Sequence, residues 1–334
     1  MDGASAVPIS TTTGIISAIG GTPLVELERL VPGLLVYAKL ERFNPGGSLK
    51  DRSALSMLSA AIDAGDLVPG ISVVVESSSG NLAIGMAQIC RYLGLRFICV
   101  VDARTTEQNL AILRAFGAEV EVVEFPDPDT GEYLPRRIQR VRELLDSVPN
   151  SFHPNQYGNR LNARAHVQTM REIAEALNGE IDHLFVPVSS CGTLVGCADY
   201  VAEHGLSVEI TAVDAIGSMI FEGQTPGPRL LPGHGAAIRP ALFREGAADR
   251  VVHVSDLDCV VGCRRLTERE AILAGASSGA IVSALTATQR DIAPGSTCVL
   301  LLPDGGDRYL DTIYSDEWVR RTFGEVSHLW KEGI

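Results

Sequence analysis

The stretch SVVVESSSGNLAIGMAQICRYLGLRFICVV, residues 72–101, decides the fold. Ser72 to Glu76 and Arg96 to Val101 are short β-branched runs of the kind that form buried strands. Between them, Leu82 to Leu93 carries apolar residues at the helical period. A strand, a helix and a strand in that order predict parallel neighbours joined by a crossover. The same rhythm continues outward. Further strands are expected over Val36 to Leu40, Glu119 to Val123, Leu184 to Val188, Glu209 to Val213, Val251 to Val254 and Cys298 to Leu302. Helices are expected over Asp51 to Ala64, Glu107 to Phe116, Arg136 to Leu145, Leu161 to Leu177, Thr193 to Ala202, Glu268 to Leu273 and Ala280 to Thr288. The fold class is therefore α/β, with mostly parallel sheets wrapped by helices. Two lobes are more economical than one for 334 residues, with Phe125 to Tyr133 and Asn155 to Asn159 as candidate crossings. Gly223 to Pro240, with four Gly and four Pro, reads as a long loop of functional or mobile character.

Composition narrows the function. With 46% apolar and 21% charged residues the chain can bury a large core. Its formal net charge of −13 would repel a phosphate backbone, so nucleic acid is not an expected partner. No apolar run approaches the roughly eighteen residues that a membrane helix needs, and the expectation is a soluble cytoplasmic protein. The seven cysteines form no C-x-x-C pair, which fits buried reduced thiols better than disulfides or a zinc site, and no metal is expected. Only three lysines occur, Lys39, Lys50 and Lys331, so any lysine chemistry must use one of them.

Three turns that follow strands could carry chemistry. In Asn44-Pro45-Gly46-Gly47-Ser48-Leu49-Lys50-Asp51-Arg52 a glycine turn delivers Lys50 at a helix start. The positive helix end and the neighbouring Arg52 favour the neutral amine, the form that makes a Schiff base with an aldehyde. The plain alternative is a solvated lysine in a first helical turn. Lys39 is expected to face solvent on its strand's alternation. In Glu76-Ser77-Ser78-Ser79-Gly80-Asn81-Leu82 backbone N–H groups and hydroxyls at a helix N-terminus suit a carboxylate or phosphate, although an ordinary N-cap has the same look. In Pro187-Val188-Ser189-Ser190-Cys191-Gly192-Thr193 the cup is short and hydroxyl-rich. It lacks the glycine pattern of a dinucleotide or nucleoside-triphosphate loop and suits a single phosphate monoester.

A fourth segment, Gly275-Ala276-Ser277-Ser278-Gly279, satisfies the G-x-S-x-G pattern of a serine-hydrolase elbow. That elbow needs a strand before the serine, whereas Thr267 to Glu270 reads as a capping box opening a helix. An aldehyde bound by Lys50, a phosphate and a carboxylate together describe pyridoxal phosphate with an amino acid.

In order and spacing, Asn44 to Arg52, Ser78-Ser79-Gly80-Asn81, Ser189 to Thr193 and Ser277-Ser278-Gly279 resemble the cysteine synthase family of pyridoxal-phosphate enzymes, called fold type II. The resemblance runs from about Gly14 to Asp311. It implies a two-lobed fold, with a smaller mobile lobe over 49–156 and a larger cofactor-binding lobe over 9–48 plus 157–334. It implies that Lys50 is catalytic and carries the cofactor as a Schiff base, and that Asn81 bonds the ring hydroxyl. Ser189, Ser190, Cys191, Gly192 and Thr193 hold the phosphate. Ser277 faces the pyridine nitrogen, where a neutral hydroxyl favours elimination at the β-carbon.

Substrate carboxylate falls to Ser78, Ser79, Gly80 and Asn81. Within the family, Glu76 to Leu82, Asn155-Gln156-Tyr157, Val213 to Phe221, Leu231-Pro232-Gly233 and Asp304 to Leu310 resemble a branch that joins O-phospho-L-serine to L-glutamate for a siderophore or antibiotic. Cysteine synthases commonly show Thr-Ser-Gly-Asn-Thr and Gly-Thr-Gly-Gly-Thr where this chain has Ser-Ser-Gly-Asn-Leu82 and Ser-Ser-Cys-Gly-Thr193, which argues against sulfide as nucleophile. Arg137 and Tyr157 are candidates for the same pocket, against a solvated helix-face arginine and a packing tyrosine. A sulfide-using cysteine synthase and a silent scaffold are the alternatives. The expected partners are small amino acids and a second copy of the chain.

Overall fold

The computed structural model describes residues 13–128 and 131–331, so the ends of the expected larger lobe, 9–12 and 332–334, lie outside the described residues. The chain opens with β1 (Leu24–Glu26), β2 (Leu35–Leu40) and α1 (Lys50–Asp63). It then alternates through β3 (Val73–Ser77), α2 (Asn81–Leu93), β4 (Arg96–Asp102), α3 (Glu107–Ala115), β5 (Glu119–Val123), α4 (Tyr133–Ser147) and β6 (Ser151–Phe152). The second half runs α5 (Arg160–Ala176), β7 (His183–Pro187), α6 (Gly192–Glu203), β8 (Glu209–Ala215), β9 (Arg250–Val254), α7 (Asp256–Glu270), α8 (Ala276–Thr288) and β10 (Thr297–Leu302). It closes with α9 (Asp316–Phe323) and α10 (His328–Lys331).

These strands make two sheets, one ordered β1-β2-β10-β7-β8-β9 and one ordered β5-β4-β3-β6. All pairs are parallel except β1 with β2. The opening stretch behaves as read: Val73 to Ser77 pairs in register with Arg96 to Val100, and α2 crosses between them. Gly94, in the left-handed region at φ 69°, ends α2 and returns the chain to β4. The first strand of the larger sheet and the two-residue β6 carry too little periodic signal to be read from sequence.

Four readings need correction. Asn155 to Asn159 does carry the chain from the smaller sheet back to the larger one, but Phe125 to Tyr133 only links β5 to α4, which packs on that same sheet. The segment after β9 is one helix from Asp256, opened by a capping box of Ser255 and Asp258. Thr267 lies near its end with its hydroxyl on the Cys263 carbonyl, so Thr267 to Glu270 starts nothing, and Leu273 is outside the helix. Lys39 is buried, because β2 sits inside a sheet covered on both faces. Val36, Ala38 and Leu40 join one core while Tyr37 packs on another, so alternation there does not separate core from solvent.

All seven cysteines are buried and free, as read. No described helix is long and apolar enough to cross a membrane.

Candidate active site

Parallel strands put their carboxyl ends, and the N-termini of the helices that follow, along one edge, and ligands of open α/β sheets bind there. Here the starts of α1, α2, α6 and α8 line one narrow cleft through Lys50, Asn81, Ser189, Ser190, Cys191, Thr193 and Ser277. Ser277 is the second residue of α8 and no strand precedes it, only an isolated bridge from Ala274 to Gly305. The hydrolase elbow is thus absent, though not for the reason the sequence offered.

Lys50 opens α1, and burial lowers its amine below the ordinary lysine range while Asp304 and Cys191 pull it back up. The direction matches expectation and the cause does not. Arg52 takes no part in it, because its guanidinium turns to Glu41 and Glu172 at 2.7 Å each. Cys191 is a structural thiol, pushed up to about 12 chiefly by burial.

The cup at α6 fits a phosphate. Cys191 stands at the helix start in the left-handed region, φ 65°, and no side chain caps the helix. The first N–H groups of a helix have no intrahelical partner, so an uncapped start carries an anion site of its own. Asn162 on α5 braces the cup by donating to Ser190 Oγ at 3.1 Å. A Cβ on Gly192 would fall 2.6 Å from Asn162 Oδ1, so the position requires glycine for the brace to fit. Opposite, Ser277 is buried and faces Gly233, where a Cβ would come within 3.5 Å of the hydroxyl.

Asn81 is engaged at both ends of its amide. Its Nδ2 donates to Asp304 Oδ2 at 2.9 Å and its Oδ1 accepts from Arg308. One N–H of the amide is left for a ligand oxygen. The turn before it is pinned from behind, with Asn109 donating to the Ser79 carbonyl and Cys99 to the Ser78 carbonyl. Neither Asp304, Arg308 nor Asn162 was singled out as a site residue from sequence. Asp304 entered the sequence reading only in the motif Asp304 to Leu310 and as an acid downstream of Ser277 in the hydrolase pattern, and no spacing places it beside Asn81, 223 residues away in sequence.

Arg137 and Tyr157 are not in this cleft. They line a neighbouring cavity of about 490 Å³ together with Ser77, Arg104, Arg142 and Arg229. Arg137 is no solvated helix-face residue: its Nη1 lies 3.3 Å from Asp102 and its buried Nε has no hydrogen-bond partner. Ser77 Oγ is buried and unpartnered too. Burial raises the Tyr157 hydroxyl above its usual range, with the Arg137 charge opposing. Cleft and cavity share two walls. The turn contributes Ser77 to one and Asn81 to the other, and the long loop contributes Gly235 and Gly233 in the same way.

Residues 15–304 match the family described as pyridoxal-phosphate dependent enzyme. The chain is 47% identical over 310 residues to N-(2-amino-2-carboxyethyl)-L-glutamate synthase from Ralstonia nicotianae, covering 92% of this chain and 91% of that one. Among solved structures, cysteine synthase from Entamoeba histolytica is 30% identical with a TM-score of 0.86, covering 100% of both chains. O-ureido-L-serine synthase is 29% identical with a TM-score of 0.85, covering 92% of this chain and 98% of that one. A lysine in a narrow cleft, an uncapped helix start lining the same cleft and these likenesses lead to one statement: the chain belongs to the pyridoxal-phosphate dependent enzymes, in the fold type II group to which cysteine synthase belongs.

Proposed function

We propose that the enzyme performs a β-replacement, joining O-phospho-L-serine to L-glutamate to give N-(2-amino-2-carboxyethyl)-L-glutamate, a precursor of 2,3-diaminopropionate for a siderophore or antibiotic. The observation that carries this reading is the arginine-lined cavity beside the lysine cleft. Sulfide needs no such cavity, whereas an amino dicarboxylate presents two carboxylates that guanidinium groups bind in a fixed geometry. The 47% identical synthase supports the same product.

Pyridoxal phosphate, when bound, supplies an electron-withdrawing ring that acidifies the α-proton of an amino acid. Lys50 Nζ would hold its aldehyde, and as a free amine would be the group placed to take that α-proton. The lowered affinity of the buried amine for protons suits both tasks. Ser189, Ser190, Cys191, Gly192 and Thr193 would hold its phosphate, Asn81 would offer its spare N–H to the ring oxygen, and Ser277 would offer the ring nitrogen a neutral hydroxyl. The uncapped N–H groups at the start of α2, with Ser78, Ser79, Gly80 and Asn81, take the first substrate's carboxylate. Arg137 and Tyr157 border the leaving phosphate, and the orphan Nε of Arg137 gains a partner when an anion arrives. Residues 49–156 are the smaller lobe and 157–334 with 9–48 the larger, in a cytoplasmic homodimer.

The test is spectral. O-Phospho-L-serine should change the visible band of the bound cofactor, and L-glutamate alone should reverse the change. Reversal by sulfide alone would make the protein a cysteine synthase instead.

A further inference from the structure

Beside the arginines the cavity holds a pair with no role so far, Glu76 at the end of β3 and His153 just after β6. His153 Nε2 lies 3.2 Å from Glu76 Oε1. The Glu76 side chain is 4% exposed and that of His153 30%. Glu76 is held in place by the backbone N–H groups of Ser77, at 2.8 Å, and Gln156, at 3.3 Å. A carboxylate fixed in this way can only accept, so it assigns the proton to Nε2 and leaves Nδ1 as a lone pair.

The proposed reaction, on which this inference rests, has a requirement that a sulfide reaction lacks. An amino acid arrives with its α-amine as ammonium, which has no lone pair and cannot attack carbon. We propose that His153 is the general base that deprotonates the incoming amino acid and that Glu76 is the positioning residue that orients its ring and stabilises the imidazolium. The N–H bond of the ammonium breaks and its proton passes to Nδ1. By then Lys50 has taken the α-proton and phosphate has left the β-carbon with its bonding pair, leaving a double bond between the α- and β-carbons, and the freed lone pair forms the new bond to that β-carbon. The electron pair displaced onto the α-carbon is quenched by the proton that Lys50 took from it earlier. His153 then loses its proton to solvent, and no oxidant or further reactant is needed.

The charged groups about this imidazole fit the assignment. Arg137 and Arg142 from α4, Arg229 from the long loop, Arg104, Glu132 and Tyr157 line the same cavity as the pair. The arginines draw the carboxylates of the second substrate, which leaves the pair of Glu76 and His153 to face its amine.

The experiment uses holoenzyme and the two half-reactions separately. In His153→Gln the spectral change caused by O-phospho-L-serine should persist and calorimetry should show L-glutamate still binding. Reversal of the change by glutamate should be slowed ~100-fold at about pH 7 and regain most of that loss by about pH 9.5, as the free amine becomes available without a base. Glu76→Gln, which keeps an acceptor for Nε2–H without the charge, should fall between the variant and the parent. Two results would overturn the proposal: an unchanged reversal rate at about pH 7, or a deficit that stays constant as pH rises, which is what a merely structural role would give. Failure of glutamate to reverse the change in the parent enzyme would instead overturn the proposed function.

Discussion

Lys39 and Lys50 are eleven residues apart, both are set in folded surroundings, and they have opposite fates. Lys39 Nζ donates to Glu172 Oε2 at 2.7 Å and to the Thr22 carbonyl at 2.6 Å. Arg52 closes the group by bonding both Glu172 and Glu41. Burial works against the Glu172 carboxylate, but the hydrogen bonds and charge of Arg52, with Lys39 and the Gly21 N–H, hold it down at about 2. Lys50 forms no ion pair among the described residues, and burial pushes its amine toward neutrality. Position in the chain does not separate the two lysines; the nearest carboxylate does. Residues two apart on a helix differ by about 200° around its axis, so the first turn of α1 sends Arg52 into the paired cluster and Lys50 into the cleft. The paired cluster holds the larger sheet to α1 and α5, and Lys50 is left without an ion pair among the described residues.

The comparison breaks most visibly at Lys50. Lys50→Ala should lower turnover by at least about a thousandfold, since it removes both the aldehyde partner and the proton carrier. The denaturation midpoint should stay near that of the parent, because no ion pair is lost. Full activity in the variant would remove the centre of the proposed mechanism. At the paired cluster the pattern should invert. Glu172→Ala leaves Lys39 buried without its carboxylate and should cost about 3–5 kcal/mol of stability, read by chemical denaturation, with the cofactor's band retained in protein that is still folded. The same cluster sets an acid limit. The folded-state affinity of Glu172 for protons is depressed, so its contribution is complete above its ordinary value, near 4.5, and is lost as pH falls toward about 2. In Glu172→Gln that part of the acid dependence should disappear.

The sequence made the cleft lysine legible and hid the paired one. Lys50 could be read because a glycine turn and an amphipathic helix are local signals. Lys39 was misread because its environment is made by α5, from a part of the chain 133 residues away, and by a second sheet neighbour. The capping box shows a related limit. Ser255 and Thr267 each have an acidic residue three positions on, and only the packing of the intact helix tells which pattern starts it. Most strand and helix centres were readable, since they rest on periodicity, and most ends shifted by a residue or two, although α4 begins three residues and α8 four residues before the expected starts. The cup at Ser189 to Thr193 was readable for the reason Lys50 was. The cavity holding Arg137 was not, since its walls come from β3, α4, the segment after β6 and the long loop, and no local pattern joins Arg137 to Arg229.

The finest test of the comparison concerns Asp304, which stands to Lys50 as Glu172 stands to Lys39 but at longer range. It accepts from Asn81 and, at 3.1 Å, from Tyr309 through Oδ2, while Oδ1 is buried without a partner. Burial raises its own affinity for protons, and Asn81, Arg308 and Tyr309 act against that. If Asp304 is ionised it is the charge that keeps the Lys50 amine from falling further. Asp304→Asn keeps an oxygen to accept from Asn81 and Tyr309 and deletes the charge. The amine of Lys50, freed from the cofactor, should then titrate at lower pH than in the parent, read from the pH dependence of the rate at which added pyridoxal phosphate restores the visible band. The sign is fixed: a charge that raises the lysine is removed, so the midpoint moves down. An unmoved midpoint would mean that Asp304 is protonated in the folded enzyme. Lys50 would then be a buried amine with no compensating charge, and the contrast with Lys39 would be complete rather than partial.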